Sequence, residues 1–180
     1  MSSAVDLPAD RVFEDLAPRL VDVGGDGSLE VVVVESDAAR GAQLAVYGLD
    51  RGALLKTAAT PEIGARFRWL APAAIADLDG DGAVDIAYVD RPHRDGILRV
   101  WTFAPGGLTE VAAARGFSNH RFGEDAILSG LRECGGRPEI VLPDFGWTRL
   151  VAVRLDGGRL VARPAGRAAT PEALAAALAC

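Results

Sequence analysis

Nine residues, Asp77-Leu-Asp-Gly-Asp-Gly-Ala-Val-Asp85, hold the densest chemistry in the chain. Asp77, Asp79, Asp81 and Asp85 stand at positions one, three, five and nine, with glycines at four and six. Carboxylates packed this closely repel one another unless a cation neutralises them. Calcium takes roughly six to eight hard oxygen ligands, and a glycine at the sixth position lets the chain turn sharply around it. The following Ile86-Ala87-Tyr88-Val89 is β-branched and aromatic, which suits a strand and not a helix. The spacing predicts a calcium loop joining two strands. A solvated acidic turn is the competing reading, since Asp and Gly are common in turns. Neither reading makes these carboxylates general acids or bases, because one exposed loop supplies no desolvation to raise a pKa.

The remaining candidate chemistry is scattered. The two histidines, His93 and His120, have no nearby acid cluster and do not form a zinc motif. No Gly-x-Ser-x-Gly, Walker loop or dinucleotide fingerprint occurs. The two cysteines, Cys134 and Cys180, are far apart. Either they stay as free thiols, or a disulfide pins the C-terminal tail, which would require an oxidising compartment.

Elements to position these residues emerge from self-comparison. Asp22-Val-Gly-Gly-Asp26-Gly-Ser28-Leu-Glu30 precedes Val31–Val34 just as Asp77–Asp85 precedes Ile86–Val89, at an offset of 55 residues. Leu131–Glu139 precedes Ile140 at a further offset of 54. Phe13–Pro18 parallels Phe67–Pro72 upstream, and Leu44–Leu49, Leu98–Phe103 and Leu150–Leu155 recur downstream, each before a glycine-bearing turn. Each unit reads as four strands, A to D, with the acidic loop between A and B. The expected fold is therefore all-β and β-propeller-like: about three four-stranded antiparallel blades in a single domain spanning 1–180. The repeats run approximately 13–60, 67–115 and 122–165, with a tail at 166–180. In that tail Thr170 and Pro171 open a short C-terminal helix.

The acidic loop starts like an EF-hand loop, but its last acid comes at nine and the flanking segments are strands. In ~55-residue units this pattern resembles the FG-GAP/VCBS repeats of integrin-α-type β-propellers, in their bacterial form, from about Phe13 to about Leu160. The resemblance implies a structural Ca2+ held by Asp77, Asp79, Asp81 and Asp85, with the backbone carbonyl of Ala83 completing the set. It implies a weaker second site at Asp22, Asp26, Ser28 and Glu30, where Gly24 replaces an aspartate. The third loop carries Leu131, Glu133, Gly135, Arg137 and Glu139 and reads as no metal site. A Cys134–Cys180 bridge would replace the missing clamp there. A periplasmic or secreted location also follows from the resemblance, although Met1–Pro8 lacks signal-peptide character.

In a meander the A–B and C–D connections share one face, and the B–C and D–A connections share the other. The second face is expected to gather Arg68, Trp69, His93, Arg94, Asn119, His120, Arg121 and Trp147 as a possible ligand site. Aromatic and guanidinium groups there suit an anionic or carbohydrate ligand, or a protein partner. The bland reading is that these residues pack between blades and hold loops. Net charge of −6 and pI near 4.9 argue against nucleic acid or an anionic membrane as the main partner. No apolar run approaches the ~20 residues needed to insert in a membrane. The leading expectation is a non-enzymatic binding or scaffolding module with structural calcium. The alternative is a propeller-based lyase or hydrolase acting on a sugar or phosphoester through His93 and His120. Three blades are fewer than the ~4–8 of a closed ring, so a partial propeller, a homo-oligomer completing the ring, or an open wedge all remain open.

Overall fold

The structure, a computed structural model, describes residues 3–180; Met1 and Ser2, at the start of the expected 1–180 span, lie outside the described residues. Thirteen strands and one helix follow the repeats. The first sheet holds β1 (Arg11–Phe13), β2 (Arg19–Val21), β3 (Glu30–Asp37), β4 (Gly41–Asp50) and β5 (Ala53–Ala59). The second holds β6 (Leu70–Ala76), β7 (Asp85–Asp90), β8 (Ile97–Ala104) and β9 (Gly107–Arg115). The third holds β10 (Gly130–Arg132), β11 (Glu139–Pro143), β12 (Leu150–Asp156) and β13 (Arg159–Gly166), followed by α1 (Pro171–Leu178). Every pairing is antiparallel between neighbours in the meander. β1 and β2 both pair with β3, so the first sheet also has four strand positions. This is a propeller-like stack that does not close.

Period-two alternation on the inner strands makes the stack. Ile86 and Tyr88 point toward the first sheet and pack with Val32, Val34, Leu44 and Val46. Ala87 and Val89 point the other way, packing with Leu98, Val100, Ile140, Leu142 and Val153 between the second and third sheets. Both faces of β7 are buried, which is why its sequence is apolar throughout. The two outer faces are covered by the chain itself. Val5 packs on Val33, Ala45 and Tyr47 of the first sheet. On the third sheet, Leu174 and Ala177 of α1 pack on Val141, Leu150 and Ala152.

Local chemistry fixes α1 in place. Thr170 Oγ1 accepts from the Ala173 N–H at 3.2 Å, and Pro171 opens the first turn. Gly130 gives the helix room on β10, because a Cβ there would stand 2.6 Å from Leu178 Cδ1. Arg132 donates to the Ala177 carbonyl at 3.2 Å. Beyond the helix a disulfide joins Cys180 to Cys134, with Cα atoms 5.4 Å apart.

The repeats differ in two places. The first A strand breaks at Glu14–Pro18, so Phe13 pairs with Glu35 while Leu70, in the second sheet, pairs with Asp90. The chain bulges outward there, and Asp15 Oδ2 accepts the Val34 N–H at 2.8 Å in place of a strand partner. Sequence matching aligned Phe13 with Phe67; the pairing aligns it with Leu70. The third acidic-loop equivalent is also shorter than its sequence offset suggests. Residues 22–29 and 77–84 each span the gap between paired strands, but only 133–138 do so in the third sheet. Leu131, matched by offset to the first loop position, is a strand residue paired with Ile140.

Candidate metal centre and loop-face pocket

The Asp77–Val84 loop folds around its own first carboxylate. Asp77 Oδ1 accepts from Gly80 N at 2.7 Å and Asp81 N at 3.1 Å, and Oδ2 from Gly82 N at 3.0 Å. Asp81 Oδ1 accepts from Ala83 N at 2.8 Å. At the start of β7, Asp85 is buried, with Leu78 N–H at 3.1 Å on one oxygen and the Thr102 hydroxyl at 2.5 Å on the other. Burial pushes the Asp85 carboxyl up, against the pull of these two donors, and the negative charge of Asp79 and Asp81 adds to the rise. Ligand oxygens of Asp77, Asp79 and Asp85 lie within 4.8 Å of one another. Three of the four expected carboxylates thus converge; Asp81 faces solvent outside that group. Such an all-carboxylate donor set fits a hard cation.

The first loop repeats the backbone-to-carboxylate bonds just described. Asp22 Oδ1 accepts from Gly25 N at 2.7 Å and Asp26 N at 3.1 Å, and Oδ2 from Gly27 N at 2.9 Å. Ser28 N donates to Asp26 Oδ1 at 2.8 Å, and Val23 N to Glu30 at 2.9 Å, as Leu78 does to Asp85. Gly24 leaves the gap where Asp79 stands in the second loop. In the third sheet Glu139 takes the position of Asp85, and guanidinium groups surround it: Arg163 at 2.7 Å and Arg132. Burial alone would raise the Glu139 carboxyl, but Arg163 and Arg132 overcome it and hold it below the usual range.

On the opposite face, the loops after β5, β7 and β9 converge. Ser118, fully buried, donates to the Pro92 carbonyl at 3.1 Å and so sets His120 beside His93. The ring nitrogens His93 Nε2 and His120 Nδ1 are 2.8 Å apart. His120 Nε2 lies 2.7 Å from the Glu124 carbonyl, an acceptor, so this nitrogen carries the proton. Nδ1 of neutral His120 is then the acceptor, and His93 donates to it. Burial and the nearby His120 lower the His93 pKa. The Trp69 indole N–H donates to the Glu14 carbonyl at 2.7 Å, which orients its ring against both imidazoles.

A pocket of about 550 Å³ opens here, and Arg68, Trp69, His93, Arg94 and His120 all line it. The other expected face residues lie elsewhere. Asn119 is buried between blades, donating to the Ala71 and Pro72 carbonyls at 3.2 and 3.0 Å. Arg121 stacks over Trp147 at 4.2 Å, and Trp147 packs beside the α1 core. The sequence reading missed the pocket's far wall, Phe13 to Leu16, and its rim at Phe122. It also missed a carboxylate at one repeat position near the end of every B strand, at Glu35, Asp90 and Asp144, although the repeat offsets would have shown it. Each is satisfied by neighbours: Glu35 by Arg11, Lys56 and Tyr47, Asp90 by Arg91 and Arg99, and Asp144 by Thr148. These are structural anchors.

Residues 22–88 match the family model of the FG-GAP-like repeat. The span runs from the first carboxylate of the first acidic loop into β7, and so takes in both acidic loops and the sheet edge between them. Over residues 22–88 the chain carries an FG-GAP-type repeat, and its sheets form a repeat module of propeller type. No curated protein matches it.

Proposed function

We propose that this module binds a structural Ca2+ at the Asp77–Asp85 loop and acts in ligand binding or scaffolding, outside the cytoplasm, without catalysing a reaction. The observation that carries the calcium reading is the convergence of Asp77, Asp79 and Asp85 oxygens within 4.8 Å. Asp81 and the Ala83 carbonyl would complete the shell from the solvent side. A cation there would offset the charge of a buried Asp85 and lock the β6–β7 connection. The first loop, with its carboxylate missing at Gly24, would bind more weakly. The binding role rests on the loop-face pocket, where His120 is oriented by the Glu124 carbonyl and not by a carboxylate that would tune it as a base. An extracytoplasmic location is supported by the Cys134–Cys180 bridge, which persists in oxidising compartments.

Thermal melting with and without Ca2+ tests the metal. Calcium raises Tm by mass action on the folded state, Asp79→Ala abolishes most of that rise, and Glu133→Ala leaves it intact. A melting curve that chelator does not move would refute the calcium site.

A further inference from the structure

Phe13, Leu16, Phe67 and Phe122 are all exposed, and all four border the loop-face pocket. Phe67 is 78% exposed and Phe122 90%, so neither ring serves the core. Phe67 also sits at φ 57, a left-handed conformation that a bulky residue adopts only under constraint. The ring stands at the pocket mouth, with the Arg66 guanidinium 4.5 Å from its centroid on one side. Behind it, Trp69 is fixed by its bond to the Glu14 carbonyl.

Charge at the pocket is uneven. Arg91 is neutralised by Asp90 and Asp95 at 2.8 and 2.9 Å, and Asp15 by Arg19 at 2.8 Å. The Glu14 carboxylate is engaged by the Ser36 hydroxyl. Arg68 and Arg94 make no ion pair among the described residues. Glu14 keeps its charge, so the lining sets Arg68, Arg91 and Arg94 against Glu14 and Asp15, a surplus of one positive charge in a chain whose net charge is −6. Both His120 nitrogens and the Trp69 N–H are already used, so the open polar groups are mainly the guanidinium donors of Arg68 and Arg94. Donors alone suit a carboxylate better than sugar hydroxyls, which also need acceptors, and the apolar rest of the lining suits an aromatic ring.

We propose that this pocket binds a small aromatic carboxylate, with the ring among Phe67, Trp69 and Phe122 and the carboxylate on Arg68 and Arg94. The inference rests on the binding-module reading and names the ligand class for it. Arg recognises carboxylates through its planar fork, and aromatic rings stack offset or edge-on.

The test is an NMR titration of the full chain in saturating Ca2+ with phenylacetate, phenylacetamide and glucuronate. Phenylacetate is expected to shift the Trp69 indole N–H while buried Trp101 stays put. Phenylacetamide should bind at least tenfold more weakly, and glucuronate should not bind. Arg68→Gln with Arg94→Gln should weaken phenylacetate at least tenfold without changing Tm, and Phe67→Gly should weaken it while relieving the strain. Equal affinity for the amide, preference for glucuronate, or no Trp69 shift at about 10 mM phenylacetate, a generous concentration for a ligand this size, overturns the proposal. If the calcium-dependent Tm shift persists while no probe binds, the ligand class fails and the calcium reading stands.

Discussion

At the last position of the A–B loop the three repeats carry Glu30, Asp85 and Glu139, and each carboxylate meets a different partner. Glu30 accepts one backbone N–H at 2.9 Å, Asp85 stands with Asp77 and Asp79, and Glu139 is bracketed by arginines. Gly24→Asp should convert the first loop into a second calcium site. A Cβ there meets nothing nearer than Asp26 Cγ at 4.0 Å, and the surrounding turn already has the second loop's hydrogen bonds. The number of tight sites should rise from one to two by calorimetry. Glu139→Gln should lower stability by about 1–2 kcal/mol near neutral pH, since it strips a partner from Arg132 and Arg163. Because the arginines hold Glu139 below its ordinary 4.5, its contribution is present above that value and lost as pH falls through the lowered one. Urea midpoints of variant and parent should therefore converge in acid. His93 should titrate below the ordinary 6.5, since burial and His120 both disfavour its proton; an imidazole NMR titration with a midpoint above 6.5 would contradict the paired geometry. At this scale the convergence of Asp77, Asp79 and Asp85 was legible because these carboxylates are local in sequence. The imidazole pair was not: it depends on Ser118 reaching the Pro92 carbonyl across 26 residues.

At the level of elements, repeat spacing gave strand order and the two-faced burial of β7, because a four-strand meander constrains both. It could not give the break between β1 and β2. That break arises from Asp15 standing in for a strand partner of Val34, a side-chain substitution invisible to periodicity. The same excursion builds the pocket wall, which explains why the sequence located one side of the site and missed the other. The shorter third loop likewise escaped the offset comparison, since Leu131 and Glu139 keep the spacing of Asp77 and Asp85 while Leu131 pairs as a strand residue. α1 and the Cys134–Cys180 bridge then hold the third sheet's outer face. Replacing both cysteines with serine should cost roughly 2–4 kcal/mol in urea unfolding, given closure of a long loop. The loss should appear first as exposure of the α1 interface, read by amide exchange in residues 171–178.

Across the whole molecule, stability comes from two inter-sheet cores, and the acidic loop lies at the edge of one of them. Leu78 sits inside the acidic loop yet is fully buried in the core shared by the second and third sheets. Ordering the loop therefore orders a core residue, so the proposed cation would act on global folding through Leu78. Leu98→Ala, in the same core, should cost about 2–5 kcal/mol and should lower Tm equally with and without calcium. No helix among the described residues is long and apolar enough to cross a membrane. Direct titration of metal-free protein with Ca2+ is the sharpest test of the central claim. One ion should bind per chain at the Asp77–Asp85 loop, and Asp79→Ala should remove most of the binding; uptake of no calcium by the parent chain would contradict the account.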